Sequence, residues 1–272
     1  MTLPHVILAK AGIHKIIPIF IVTGLFLNIL IFSPLVLASA KSDYDYQYGQ
    51  YRLGYSEFLV LKQDYLNTPS LDNQQKAMLL AKQTTVSRDL AKASLNWYLM
   101  DLIGSYKVDY EPIKPILTSL DSARQFFLEE AQKSQGVTTQ ADLKKLTQKY
   151  LDSVPEKDSV SKFGIVANKI AALVRIQMDS KAAFDELIPK LPNPMPTGLS
   201  ARVQELTSSA KIIDDKIYLL ASNLNLAEAV AESTTAIFFD SRIEKLVEIR
   251  TLQLDWINRL IDIDINYVQL QN

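Results

Sequence analysis

The chain has 272 residues, with 29 Lys and Arg against 30 Asp and Glu, two His and no Cys. Charge this balanced gives no clustered basic surface for nucleic acid, and a chain without Cys has no disulfide, thiol redox centre or Cys-based zinc site. Both histidines, His5 and His14, fall in the first 40 residues, so a body beginning at residue 41 also lacks Ser-His-Asp and Cys-His catalysis and histidine-ligated metal or haem.

Residues 1–40 read as a membrane-targeting segment. Lys10, His14 and Lys15, with no acid among them, precede an apolar stretch from Ile16 to Leu37, which is a positive n-region followed by an h-region. Ser33-Pro34 breaks the helix, and Ala38-Ser39-Ala40 offers small residues to a signal peptidase, so cleavage is expected between Ala40 and Lys41. The competing reading is an uncleaved signal anchor through residues 16–37, since a span needs about 20 apolar residues. Pro18, Asn28 and Pro34 interrupt that span. Either way the basic flank stays in the cytoplasm and the body is expected outside it: secreted, periplasmic or at the cell surface. A Cys-free exported chain fits a bacterial envelope better than a eukaryotic secretory route.

Without residues 1–40 the chain keeps 27 basic and 30 acidic residues, a net charge of about −3, and no Lys/Arg stripe for an anionic membrane. Six Gly and eight Pro in the body are too few for the turns of a sandwich or barrel. The periodicity predicts helices at about 44–67, 73–107, 113–135, 139–152, 159–188, 198–226 and 237–270.

The first of these crowds Tyr44, Tyr46, Tyr48, Tyr51 and Tyr55 directly after the cleavage site. Tyr44, Tyr51, Phe58 and Tyr65 are seven apart, flanked by Tyr48 and Tyr55: a core-facing aromatic seam, with an amphipathic contact surface as the sharper alternative. Trp97-Tyr98 in the second helix carries the same two readings, the core favoured. The acidic pairs Glu129-Glu130 and Asp214-Asp215 suit acid/base chemistry only if they converge, and adjacent helical residues point about 100° apart, so a solvated face is expected. Thr139 and Asp142 form a capping box opening the short helix at 139, and Pro155 is read as the break before 159–188.

The run PKLPNPMP at 189–196 is a stiff Pro-rich connector. Beyond it, Leu199, Val203, Leu206, Ala210, Ile213, Ile217, Leu220 and Leu224 alternate spacings of four and three, a coiled-coil seam. The expected partner is the last helix, through Val247, Leu254, Ile261 and Val268. A second heptad series, Ile249, Trp256, Ile263 and Leu270, lies about 200° away, so that helix must be covered on two sides. Arg250 and Asp264 are read as partly inward charges that fix register.

The expected fold is therefore all-α: an elongated antiparallel helical bundle with coiled-coil-like long helices, a bundle at 41–188 and a long hairpin at 197–272 packed on it. There is no P-loop, GxGxxG run or EF-hand loop. No catalytic, metal or cofactor residues are assigned, and no cofactor is expected. The function expected is a non-catalytic envelope or secreted interaction module. Its contact residues are Tyr44, Tyr48, Tyr51, Tyr55, Ile249, Trp256, Ile263 and Leu270, and its partner is a protein, a second copy through the long helices, or an envelope polymer. A ligand-binding or sensory bundle is the alternative.

Overall fold

A computed structural model describes residues 39–224 and 235–267, with side chains in the last helix from Phe238 onward. Residues 1–38 of the expected targeting segment, and Val268 and Leu270 of the two expected heptad series, lie outside the described residues. Within them the protein is all-α, with no strand: α1 (Ala40–Asn67), α2 (Leu71–Ser105), α3 (Lys114–Gln135), α4 (Gln140–Leu187), α5 (Thr197–Ser222) and α6 (Thr235–Tyr267), plus single 3₁₀ turns at Glu111–Ile113 and Ile188–Lys190.

Short polar residues start the first two helices. Ser39 Oγ accepts from the Ser42 amide at 3.1 Å, and Ser70 Oγ, just after Pro69, accepts from the Asn73 amide at 3.1 Å. α1 returns antiparallel along α2: Asp43 accepts from the Ser94 hydroxyl, Tyr44 stacks on Tyr98 with centroids 6.1 Å apart, and Gly54 faces Thr84. The α1 positions turned toward α2 are 40, 44, 47, 51, 54, 58, 61 and 65, an alternation of four and three that makes a two-helix seam. A Cβ at Gly54 would sit 3.3 Å from Thr84 Oγ1, so the glycine lets the two backbones approach.

α2, α3 and α4 enclose the first core, where Leu99, Ile116, Leu120, Phe127 and Phe163 are buried. α2 and α4 run parallel, as the pairs Gln74–Gln140, Lys92–Asp158 and Asn96–Ser161 show, and α3 runs between them in the opposite sense. α4 corrects the expected break at Pro155: residues 140–187 form one helix of 48 residues, about 72 Å long at 1.5 Å per residue. Pro155 costs that helix a hydrogen bond, but it is exposed, as is Leu151 four residues before it, so water can solvate the carbonyl left without a donor. The Thr139 cap does open the helix, its Oγ1 accepting from the Asp142 amide at 3.1 Å.

The C-terminal half of α4 carries the hairpin of α5 and α6. Leu199, Leu206, Ala210, Ile213, Ile217 and Leu220 are all buried, as the alternating spacing requires. α5 and α6 are antiparallel through the ion pairs Arg202–Asp262 and Lys216–Glu248. α6 follows α4 in direction, with Phe238 against Phe163 and Trp256 against Phe184. Helix directions thus alternate along the chain, and α4 is the strut common to both halves.

The face of α6 that meets α5 is the reverse of the one expected. Ile249, Trp256 and Ile263 are buried there, while Val247, Leu254 and Ile261 are about half exposed. The reason lies in the neighbours: Gln253 and Leu260 extend the Ile249 series into one continuous buried arc, and Arg250 interrupts the Val247 series. Arg250 is exposed for the same reason. Among the described residues the buried charges are instead Asp89, Glu130 and Arg242, and Glu130 departs from the solvated face expected of its pair with Glu129.

Candidate functional site

The tyrosine cluster of α1 divides between two environments. Tyr44 and Tyr51 are half-buried in the seam with α2. Tyr48 and Tyr55, 43% and 45% exposed, stand outside it. They begin a second row with the same alternating spacing, Tyr48, Arg52, Tyr55, Leu59, Lys62 and Leu66, all exposed. On the other flank Tyr46, Leu53 and Val60 recur every seven residues and are exposed as well. Among the described residues α1 packs along α2 and makes no comparable contact with another helix, so both rows are open to them.

On α6 the outward row is Ile243, Val247, Leu254, Ile261 and Ile265. Ile249, Trp256 and Ile263, singled out from the sequence, face inward. The Trp256 indole donates to the Leu206 carbonyl at 2.8 Å, and a buried amide pair, Gln253 donating to Gln177 Oε1 at 3.2 Å and to the Leu173 carbonyl at 2.9 Å, ties α6 to α4. These residues build the hairpin rather than a surface.

A cleft of about 640 Å³ opens between α4, α5 and the 109–110 segment that leads from α2 to α3. Val174, Gln177 and Ile217 form its buried floor, and Met178, Tyr110 and Tyr218 its walls. Asp109, Lys181, Asp185, Asp214 and Asp215 stand around them. Burial, with the nearby Asp214 carboxylate and Tyr218, raises the Tyr110 hydroxyl to about 12, so it stays a neutral phenol at physiological pH. Periodicity could not find this site, because Asp109 and Tyr110 lie outside any helix and the remaining lining residues come from two helices.

A second polar group lies inside the α2–α3–α4 core. Asp89 is completely buried, accepts from Arg88 Nε at 2.9 Å and leaves Oδ2 without a protein partner. The Arg88 guanidinium stacks 3.5 Å over the Tyr150 ring, and Lys92 bridges to Asp158 at 2.5 Å. Only Asp89 is sealed off, since Arg88, Lys92 and Asp158 reach the surface, and the cluster acts as a polar clamp between helices.

Among the described residues no group of three or more His, Cys, Asp or Glu is placed to hold a metal ion, and no helix is long and apolar enough to cross a membrane. No protein family, curated protein or solved structure matches the chain.

Proposed function

We propose that this protein is an exported, non-catalytic interaction module that works outside the cytoplasm and docks a partner helix on the outer row of α1. The observation that carries this reading is the second row of four-and-three spacing, Tyr48, Arg52, Tyr55, Leu59, Lys62 and Leu66, exposed on a helix already held by α2 along its other side. A row with that spacing accepts the knobs of another helix. Its charged members, Arg52 and Lys62, are both basic, so the fitting partner is an amphipathic protein helix with acidic residues opposite them. Tyrosine suits such a contact, since it buries a large rigid ring and keeps its hydroxyl wet.

A photo-crosslinking residue placed at Tyr55 of the full chain, in cells that export it, tests the reading. The expected product is an adduct to an acidic helical segment of another protein, lost when Tyr48, Leu59 and Leu66 are changed to Ser while the circular dichroism is unchanged. Adducts only between two copies of this chain, or retention on an envelope polymer with no protein adduct, would overturn it. N-terminal sequencing of the exported product tests the location: Lys41 is expected first, and a product retaining Met1 contradicts cleavage.

A further inference from the structure

The cleft between α4, α5 and Tyr110 shares no residue with the α1 row, and its chemistry is different. Two of its four carboxylates are already matched, Asp214 by Lys181 at 2.8 Å and Asp109 by Lys114 at 2.8 Å. Asp185 and Asp215 have no ion-pair partner among the described residues, and with Lys181 the cleft lining carries four acids against one base. Asp214 and Asp215 are adjacent on α5 and nevertheless both line the cleft. The floor beneath them is fixed and, apart from Gln177, apolar. Val174 and Ile217 are buried, and Gln177 has its amide occupied, donating to the Ala210 carbonyl at 3.3 Å and accepting from Gln253.

This combination selects a ligand class. Hard divalent cations take six to eight oxygens and gain nothing from an apolar floor, and no suitable metal-binding cluster is present among the described residues. An anion is repelled. A neutral apolar molecule leaves the two unmatched carboxylates unused. What fits is a positive head on an apolar body, with the head near Asp185 and Asp215, the phenol faces of Tyr110 and Tyr218 available for cation–π contact, and the body on Val174, Ile217 and Met178. The volume of about 640 Å³ lies within the range of small-molecule sites.

We propose that this cleft is a binding site for an organic cation of the alkyl- or arylammonium class. Benzyltrimethylammonium chloride is the probe and benzyl alcohol its neutral counterpart, both titrated by calorimetry into the full chain. Saturable binding of the ammonium is expected, weakening as salt rises, with the alcohol roughly tenfold weaker or undetectable. Tyr218→Ala and the double change Asp185→Asn with Asp215→Asn should each weaken the ammonium roughly tenfold. All three residues are exposed, so unchanged thermal melts are expected to show that the fold is kept. Equal affinity for the alcohol, no saturable binding of the ammonium, or binding untouched by both variants overturns the proposal. So does capture of a lysine-rich peptide without the small ammonium, which would make the cleft a peptide-docking surface. Loss of the α1 crosslink leaves this titration unaffected, and the reverse holds too.

Discussion

At Asp89 the protein buries a carboxylate completely, and burial, only partly offset by the adjacent Arg88, holds its pKa above the usual carboxylate range. A raised folded pKa means that the native state binds this proton more tightly than the unfolded chain does. The contribution to stability is then full below the unfolded value of about 3.9 and is lost as pH rises through the folded one. Asp89→Asn keeps an oxygen for Arg88 and removes the titration. Its stability relative to the native chain should therefore improve between pH 4 and pH 7 in urea melts, whereas a constant difference would show that Arg88 offsets the burial fully. Gly164 is the other residue whose identity the packing dictates. A Cβ there would stand 2.8 Å from Leu120 Cδ2 and 3.0 Å from Leu99 Cδ1, both on buried side chains with little room to turn aside. Gly164→Ala should cost about 1–3 kcal/mol despite the better helix propensity of Ala, read as a lower denaturation midpoint with an unchanged slope.

Among the elements, α6 separates what the sequence can reveal from what it leaves open. Ile263→Asp places a charge at a buried position against α5, so it should cost several kcal/mol and melt the hairpin. Leu254→Asp, on the outward row, should leave the thermal midpoint nearly unchanged; equal damage from both would mean that the outward row is covered in the free protein. The two heptad series were legible because a period of seven survives in any sequence that keeps a helix face apolar. Which series turns inward was misread, since the two series are themselves equally apolar and Arg250, which interrupts the Val247 series, reads as a partly inward charge, whereas it is exposed and Gln253 and Leu260 beside the Ile249 series are buried. Pro155 misled for a related reason. Proline weakens any helix locally, but Val160, Phe163, Val166 and Ile170 are packed on the far side of it, and that burial outweighs one lost hydrogen bond. Pro155→Ala should stabilise the protein, by up to about 3 kcal/mol. The capping box at Thr139 and the α5 seam were readable because each is a local rule, whereas the cleft required the loop at Tyr110 to be set against α4 and α5.

Across the whole molecule the helices are held very unequally. α4 is packed from both halves and contributes residues to nearly every layer of the core, while α1, among the described helices, rests mainly on α2 and buries only Ala40 fully. The expected cleavage point between Ala40 and Lys41 lies within the first turn of α1, so a cut there removes the Ser39 cap, a loss of about 1 kcal/mol in a helix with little else to hold its start. Segments with few buried contacts open below the global unfolding free energy, so α1 should behave as a separate, weaker unit. Native-state hydrogen exchange should show amides of 43–67 exchanging through an opening cheaper than that of 160–177, and in urea the first set should lose protection at lower concentration. Exchange of both sets at one common free energy would show instead that the α1 seam is bound into the main cooperative unit. The same experiment bears on the docking row. A helix seated on Tyr48, Tyr55 and Leu59 adds a second packed side to α1, so partner binding should slow exchange in α1 far more than in α4, in proportion to partner concentration.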